Sequence, residues 1–406
     1  MEELSMQELI AARMRNVKPS FVREVLKAAG RKDLISFAGG LPDPNLFDVE
    51  GMQQAAQEAL AKDPSGALQY GVTDGHMGLR AEIAKLMQSR GAAVDPERIV
   101  VTTGSQQGID LIARTLLDPG DVVLLEQPSY LAALQVFELA QAEMRGVPGD
   151  EHGLRVDLLE EEIERLAREG KRAKLIYVVA TFANPSGSSL SLERRTALLE
   201  LAAKHGIMIV EDDPYGELRF RGEVLPSLVG LAENVDGAGE LAVYLSTFSK
   251  TVAPGLRIGW MVLPEWLHRI VVIAKQASDL HASTFAQHVA YRYLQSGRLV
   301  QHLPKIIAAY GERADAMVGA LERHLPAGVL RVNAPEGGMF LWGRMADGVD
   351  TMQLVNKAIA AGVIFVPGVP FFVRPDANPH LRLSFVTNTP EMIDEGVRRF
   401  ASVVLD

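Results

Sequence analysis

Between Arg98 and Val262 the chain alternates short runs of β-branched and other apolar residues with helix-like stretches. The runs are Arg98–Thr103, Val122–Glu126, Glu143–Val147, Lys174–Ala180, Ile207–Glu211, Leu241–Thr247 and Arg257–Val262; Gln106–Leu117, Leu131–Ala140, Asp157–Glu169 and Leu192–His205 lie between them. Parallel strands need long crossovers, and helices supply them. The alternation therefore predicts an α/β fold built on a mostly parallel, seven-stranded sheet. Ser105 and Ser191 stand where helix N-caps belong.

After Pro264 the pattern turns helical through about His324, with a break at Gly297. Two short strands follow, Gly338–Trp342 and His380–Phe385, separated by a helix over Thr351–Ala361 and succeeded by a last helix from Pro390. This predicts an N-terminal segment over 1–44 that packs with the small domain and the active site, a large domain over 45–295 and a smaller α+β domain over 296–406.

Composition narrows the function. A chain of 406 residues, 48% of them apolar, can bury a large core. A formal net charge of −10 argues against nucleic acid as a partner, because phosphate-backbone binders carry a basic face. No cysteine is present, which excludes disulfides, thiolate metal sites and thiol catalysis and fits a reducing compartment. No apolar run reaches bilayer-spanning length, and the acidic start Met1-Glu2-Glu3-Leu4 is not a secretory signal, so the expected location is the cytoplasm, away from membranes.

Four polar clusters fall just after predicted strands. They are Gly104-Ser105-Gln106-Gln107-Gly108, Asn184-Pro185-Ser186-Gly187, Glu211-Asp212-Asp213-Pro214-Tyr215 and the run from Ser246 to Trp260 that contains Lys250. Each taken singly reads as a cap or a turn. Together they fall at the edge where open parallel sheets bind ligands. A helix start such as Ser105 favours a phosphate, and Lys250 with Arg257 seven residues on suits a carbonyl compound that also carries one. His281 and His288 lie seven apart with no third ligand at metal-binding spacing, so no metal site is expected.

On these residues the chain resembles the pyridoxal-phosphate-dependent aminotransferases of class I/II, fold type I. Within them it is most similar to the 2-aminoadipate and kynurenine aminotransferase branch. The resemblance spans nearly the whole chain, from Ile35-Ser36-Phe37-Ala38-Gly39-Gly40-Leu41-Pro42 through Leu68-Gln69-Tyr70-Gly71 to Leu381-Arg382-Leu383-Ser384-Phe385. Its most specific part is Ser249-Lys250-x-x-x-Pro254-Gly255-x-Arg257-x-Gly259.

The resemblance implies pyridoxal 5′-phosphate as cofactor and assigns roles residue by residue. Lys250 is the Schiff-base lysine and proton carrier, Asp212 pairs with the pyridine nitrogen, and Asn184 and Tyr215 hydrogen-bond the ring oxygen. Ser105, Gln106, Thr247, Ser249 and Arg257 hold the phosphate, Tyr130 stacks on the ring, and Tyr70 reaches the phosphate of a neighbouring subunit, which implies a homodimer with shared sites. Arg382 clamps the substrate α-carboxylate, Gly40 lies beside that carboxylate, and Arg23 meets the distal end of a substrate unless it is an ordinary surface arginine. The implied reaction is a two-step exchange between an L-amino acid (2-aminoadipate, glutamate, aromatic or branched-chain) and a 2-oxo acid such as 2-oxoglutarate or pyruvate. A same-fold lyase or cyclase stays open, because such enzymes begin at the same lysine. A regulator with an aminotransferase-like domain is disfavoured, since the pattern starts within about the first twenty residues and leaves no room for a winged helix. The chain departs from the branch at Ala180 and Ala183, where Pro and Gln are common, and at Thr247, usually Ser.

Overall fold

The large sheet runs, strand by neighbouring strand, Ile99–Thr102, Gly259–Val262, Ala242–Thr247, Met208–Asp212, Ala173–Val178, Val122–Gln127, Glu143–Asp150 and Gly153–Leu154. The chain is described here by a computed structural model at residues 9–15, 17, 33–374 and 379–405. Seven of these strands coincide with the seven apolar runs in the sequence. The eighth, Gly153–Leu154, pairs antiparallel with the end of Glu143–Asp150, and two residues are too few to show any alternation. Only Gly259–Val262 and this edge strand run against the others.

The central strands are apolar on both faces because helices cover both. Val123, Leu125, Leu175, Val210 and Leu245 belong to one core cluster, and their neighbours Leu124, Ile176 and Ile209 belong to another, shared with Leu159 and Ile163 of helix Val156–Arg168 and Leu198 and Leu201 of helix Leu192–His205. Emptying any one of the leucine or isoleucine positions to alanine costs about 2–5 kcal/mol. Helix Leu192–His205 is bounded by local chemistry: the Ser191 hydroxyl accepts from the Arg194 N–H at 3.2 Å, and Gly206 ends it at φ 62°.

Three expectations needed correction. Ser105 is the first residue of helix Ser105–Leu116 and does not cap it; the cap is Gly104, at φ 78°, with no side-chain acceptor. Arg257 does not open a strand, because its φ of 54° is left-handed and it ends a 3₁₀ turn over Pro254–Leu256. The helical stretch after Pro264 breaks at Leu280, φ 66°, as well as at Gly297, giving Glu265–Asp279, Thr284–Gln295 and Arg298–His324.

A second sheet orders Leu330–Val332, Phe340–Met345, His380–Ser384 and Val366–Pro367, all antiparallel. Its first and last members were not apparent in the sequence. Ile35–Ser36 pairs in parallel with Val363–Ile364, which brings the segment just after it, Ala38 to Gly40, toward the large sheet. Among the described residues no helix is long and apolar enough to cross a membrane.

Candidate active site at the carboxyl edge of the large sheet

Five of the site residues stand at, or just beyond, the end of a strand of the large sheet, while Arg382 comes from the middle of His380–Ser384 in the second sheet. Asp212 ends Met208–Asp212, Thr247 ends Ala242–Thr247, Tyr130 follows Val122–Gln127, Asn184 follows Ala173–Val178, and Ser105 follows Ile99–Thr102. Thus side chains far apart in sequence meet on one rim.

Lys250 is held at the centre of this rim. Its Nζ donates to the Gly40 carbonyl at 2.7 Å. Burial, and then the cationic fields of Arg382 and Arg257, bring its pKa down to about 8. At that value a useful fraction of the amine is neutral and nucleophilic near neutral pH.

Asp212 is buried, and burial pushes its carboxyl up to about 7 against the opposing hydrogen bond from Tyr177, with Glu211 adding to the rise. The Tyr177 hydroxyl donates to Oδ2 at 2.8 Å, while buried Oδ1 has no hydrogen-bond partner among the described residues. An orphaned buried carboxylate oxygen calls for a cationic donor. Beside it, the Asn184 side-chain amide faces the Tyr215 hydroxyl at 3.4 Å, and burial drives the Tyr215 pKa upward. Tyr130 rises to about 12 through burial and then the nearby Asp212 charge, with Arg382 and Arg257 pulling the other way.

Arg382 is buried between two aromatic faces, its guanidinium carbon 4.2 Å from the Phe340 ring centroid and 5.3 Å from that of Phe371. It donates to Asn184 Oδ1 at 2.7 Å and to the Ala38 carbonyl at 2.8 Å, and its Nε has no partner among the described residues. Burial lowers its pKa to about 10, still well above neutrality, so it is a desolvated cation suited to a carboxylate.

The other anion site is built from Gly104, Ser105, Thr247, Ser249 and Arg257. Arg257 donates to Ser249 Oγ and the Thr103 carbonyl, both at 3.4 Å, and Ser249 and Thr247 hydroxyls lie 2.9 Å apart. A Cβ on Gly104 would stand 2.5 Å from Arg257 Nη2, and one on Gly259 would stand 2.7 Å from Gly104 C and Ser105 N. Gly259 therefore has to be glycine for the helix start and the returning strand to meet, and Gly104 is held to glycine by its φ of 78°. The first-turn N–H groups of an uncapped helix and an adjacent guanidinium form an anion cradle.

Other residues fall elsewhere. Gln106 is exposed on the helix, and Tyr70 is 79% exposed with its ring edge-on to His281 at 5.7 Å. Arg23 lies outside the described residues. His281 accepts from the Gly71 N–H at 3.3 Å, and His288 lies 3.3 Å from Asp63; no group of three or more His, Cys, Asp or Glu able to hold a metal occurs among the described residues. Sequence reasoning missed Tyr177 and Phe371, and it named Gly104 and Gly259 as members of two clusters without giving either a role of its own.

A rim like this belongs to an enzyme that meets a carbonyl with an amine while gripping one anion on each side. The match to the family of class I and II aminotransferases runs over residues 33–400, and the chain belongs to that family. It is 42% identical over 402 residues to an aromatic-amino-acid aminotransferase of Thermococcus litoralis, covering 99% of this chain and 95% of that one. It is 43% identical to the multiple substrate aminotransferase of Thermococcus profundus, with a TM-score of 0.93 and coverage of 99% and 98%. It is 38% identical to the α-aminoadipate aminotransferase of Thermus thermophilus, solved with N-(5′-phosphopyridoxyl)-L-leucine, with a TM-score of 0.90 and coverage of 99% and 98%. The protein is an aminotransferase that uses pyridoxal phosphate, acting on amino acids and oxo acids. Its rim fits that cofactor: the Lys250 amine suits the carbonyl, the orphaned Asp212 oxygen the pyridinium N–H, and the Gly104–Arg257 cradle the phosphate.

Proposed function

We propose that this aminotransferase takes the amino group of 2-aminoadipate, glutamate, aromatic or branched-chain L-amino acids and passes it to a 2-oxo acid such as 2-oxoglutarate or pyruvate, with Lys250 as the residue that carries the cofactor. The observation that carries this reading is a depressed amine lying within the fields of two guanidiniums, Arg382 and Arg257. The reacting pair, an amino acid and a phosphate-bearing carbonyl, presents an anion for each.

When bound, pyridoxal phosphate supplies an electrophilic carbon and a ring that accepts the electron pair released at the substrate Cα. Lys250 would hold the cofactor through its Nζ and, as a base, would take up the substrate Cα proton and give it back. Asp212 Oδ1 would accept from the ring nitrogen and keep it protonated, and Tyr215 and Asn184 would donate to the ring oxygen. Ser105, Gln106, Thr247, Ser249 and Arg257 would fix the phosphate, while Tyr130 would cover the ring and keep water out. Arg382 would receive the α-carboxylate. Gly40 matters because a Cβ there would stand 3.3 Å from the Phe340 ring, against the wall that lines the carboxylate site. The Phe340 and Phe371 rings beside Arg382 support aromatic donors. Tyr70, exposed in a single copy, is proposed to reach the phosphate of a second copy, making a homodimer with shared sites. A cytoplasmic location belongs to the same proposal and is consistent with the cysteine-free chain.

The test is spectral. Visible absorption of the bound cofactor should fall when an amino donor is added and return with a 2-oxo acid, across a panel that ranks donors. Bleaching that never recovers would favour a lyase. Lys250→Ala should form no borohydride-trappable link to pyridoxal phosphate, and a link trapped at another residue would overturn the assignment.

A further inference from the structure

The mechanism has no use for Lys275, yet its side chain is completely buried near the phosphate cradle. It stands on helix Glu265–Asp279, and its ammonium donates to Asp279 Oδ1 at 2.8 Å, Asp279 Oδ2 at 3.0 Å and Gln107 Oε1 at 3.1 Å. Gln107 in turn donates from Nε2 to Asp279 Oδ2 at 2.7 Å and accepts through Oε1 from the Thr103 N–H at 2.8 Å. The Thr103 hydroxyl closes the ring on Asp279 Oδ2 at 3.1 Å. Both ends of the turn Thr103-Gly104-Ser105-Gln106-Gln107 are therefore tied to one ion pair, whose lysine is buried and whose aspartate is partly open to solvent.

Burying an ammonium is costly unless its donors are satisfied, and an apolar side chain would fill a core position more cheaply. Gly104 offers the turn no side-chain cap, and outside this ring the turn is held by the Thr102 hydroxyl, which donates to the Gly104 carbonyl at 3.0 Å, and by Arg257, which donates to the Thr103 carbonyl at 3.4 Å. We propose that Lys275, Gln107 and Asp279 form a clasp that positions the Thr103–Gln106 turn for the cofactor phosphate. The proposal rests on the reading that this turn holds the phosphate. Lys275 does not itself touch it, because its hydrogen bonds go to Asp279 and Gln107, so all three are positioning residues.

The clasp is tested by titrating the full-length, cofactor-stripped protein with pyridoxal phosphate and, separately, with pyridoxal, which lacks the phosphate. Lys275→Met and Gln107→Leu should each raise the Kd for pyridoxal phosphate by about tenfold, the scale of a lost charge-assisted hydrogen bond, and leave the Kd for pyridoxal unchanged. Equal weakening of both ligands would mark a purely structural role and overturn the proposal, as would no weakening of either. Weakening by Lys275→Met alone would mean that bare charge acts at a distance, and the clasp would again be wrong. If Lys275→Met does not fold, the neutral Gln107→Leu decides the matter. Wild-type protein that binds both compounds equally well would defeat the phosphate cradle itself, an outcome distinguishable from failure of the clasp alone.

Discussion

The Tyr177 hydroxyl donates to Asp212 Oδ2 at 2.8 Å and leaves Oδ1 as the oxygen of that carboxylate without a partner among the described residues. That bond works against the burial that lifts Asp212 to about 7. Tyr177→Phe should push the carboxyl higher still, so that near neutral pH less of it is ionised to hold the ring nitrogen protonated. The expected outcome is a fall in kcat of about tenfold, with KM little changed and the loss deepest at acidic pH, since a hydrogen bond to a charged group contributes about 1.5–3 kcal/mol. An unaltered pH profile would remove Tyr177 from this role.

Gly255 and Gly259 lie in the same short run but differ in physical standing. A Cβ on Gly255 meets nothing within 4 Å among the described residues, whereas one on Gly259 would sit 2.7 Å from backbone atoms of Gly104, Ser105 and Ser246. Backbone cannot swing aside as a side-chain tip can. Gly259→Ala should therefore lower stability by about 2 kcal/mol or more and weaken pyridoxal phosphate binding, while Gly255→Ala should stay within about 0.5 kcal/mol of wild type. Chemical denaturation of both variants checks this.

These glycines show how far the sequence can be read. The strands of the large sheet and the lysine run were legible because hydrophobic alternation and short motifs are local signals. Gly104 against Gly259, Tyr177 beneath Asp212 and Lys275 behind Gln107 were not, because each contact joins segments that meet only once the sheet has formed. Arg257 was misread as strand because it precedes the apolar run Ile258 to Val262, and nothing local reveals its φ of 54°. The strands Gly153–Leu154 and Val366–Pro367 are two residues each, too short for a period of two to be visible.

Lys250 sets a pH dependence whose sign follows from its shift. With a folded pKa near 8, below the usual lysine value of about 10.4, the amine is charged and unreactive at lower pH and neutral above it. The rate at which cofactor-stripped protein takes up pyridoxal phosphate should rise with pH and level off above about 8. Arg382→Met removes the larger of the two cationic contributions, so the half-point should move upward, and Arg382→Lys should largely restore it. For stability the buried lysine is a cost that is full below about pH 8 and is relieved between there and about 10.4, where the unfolded chain holds a proton that the folded one does not, so stability rises with pH across that window.

Glu126 offers the converse test. It is the penultimate residue of the strand Val122–Gln127, four residues before Tyr130, and burial lifts its carboxyl to about 8, with Arg194 pulling it down and Asp150 pushing it up. An ordinary glutamate titrates near about 4.3. Between those values the folded chain keeps a proton that the unfolded chain has lost, so this carboxyl makes folding progressively less favourable as pH rises, with the full cost present above about 8. Glutamine has nearly the shape of the protonated acid and nothing to ionise. Glu126→Gln should match wild type near pH 4 and gain about 2 °C or more in Tm by pH 8. Taking the difference in Tm between the two proteins at each pH cancels the titrations of Asp212 and Lys250, which are common to both. A difference that stays flat from pH 4 to 8 would mean that Glu126 is ionised within the fold, with Arg194 close enough to outweigh its burial.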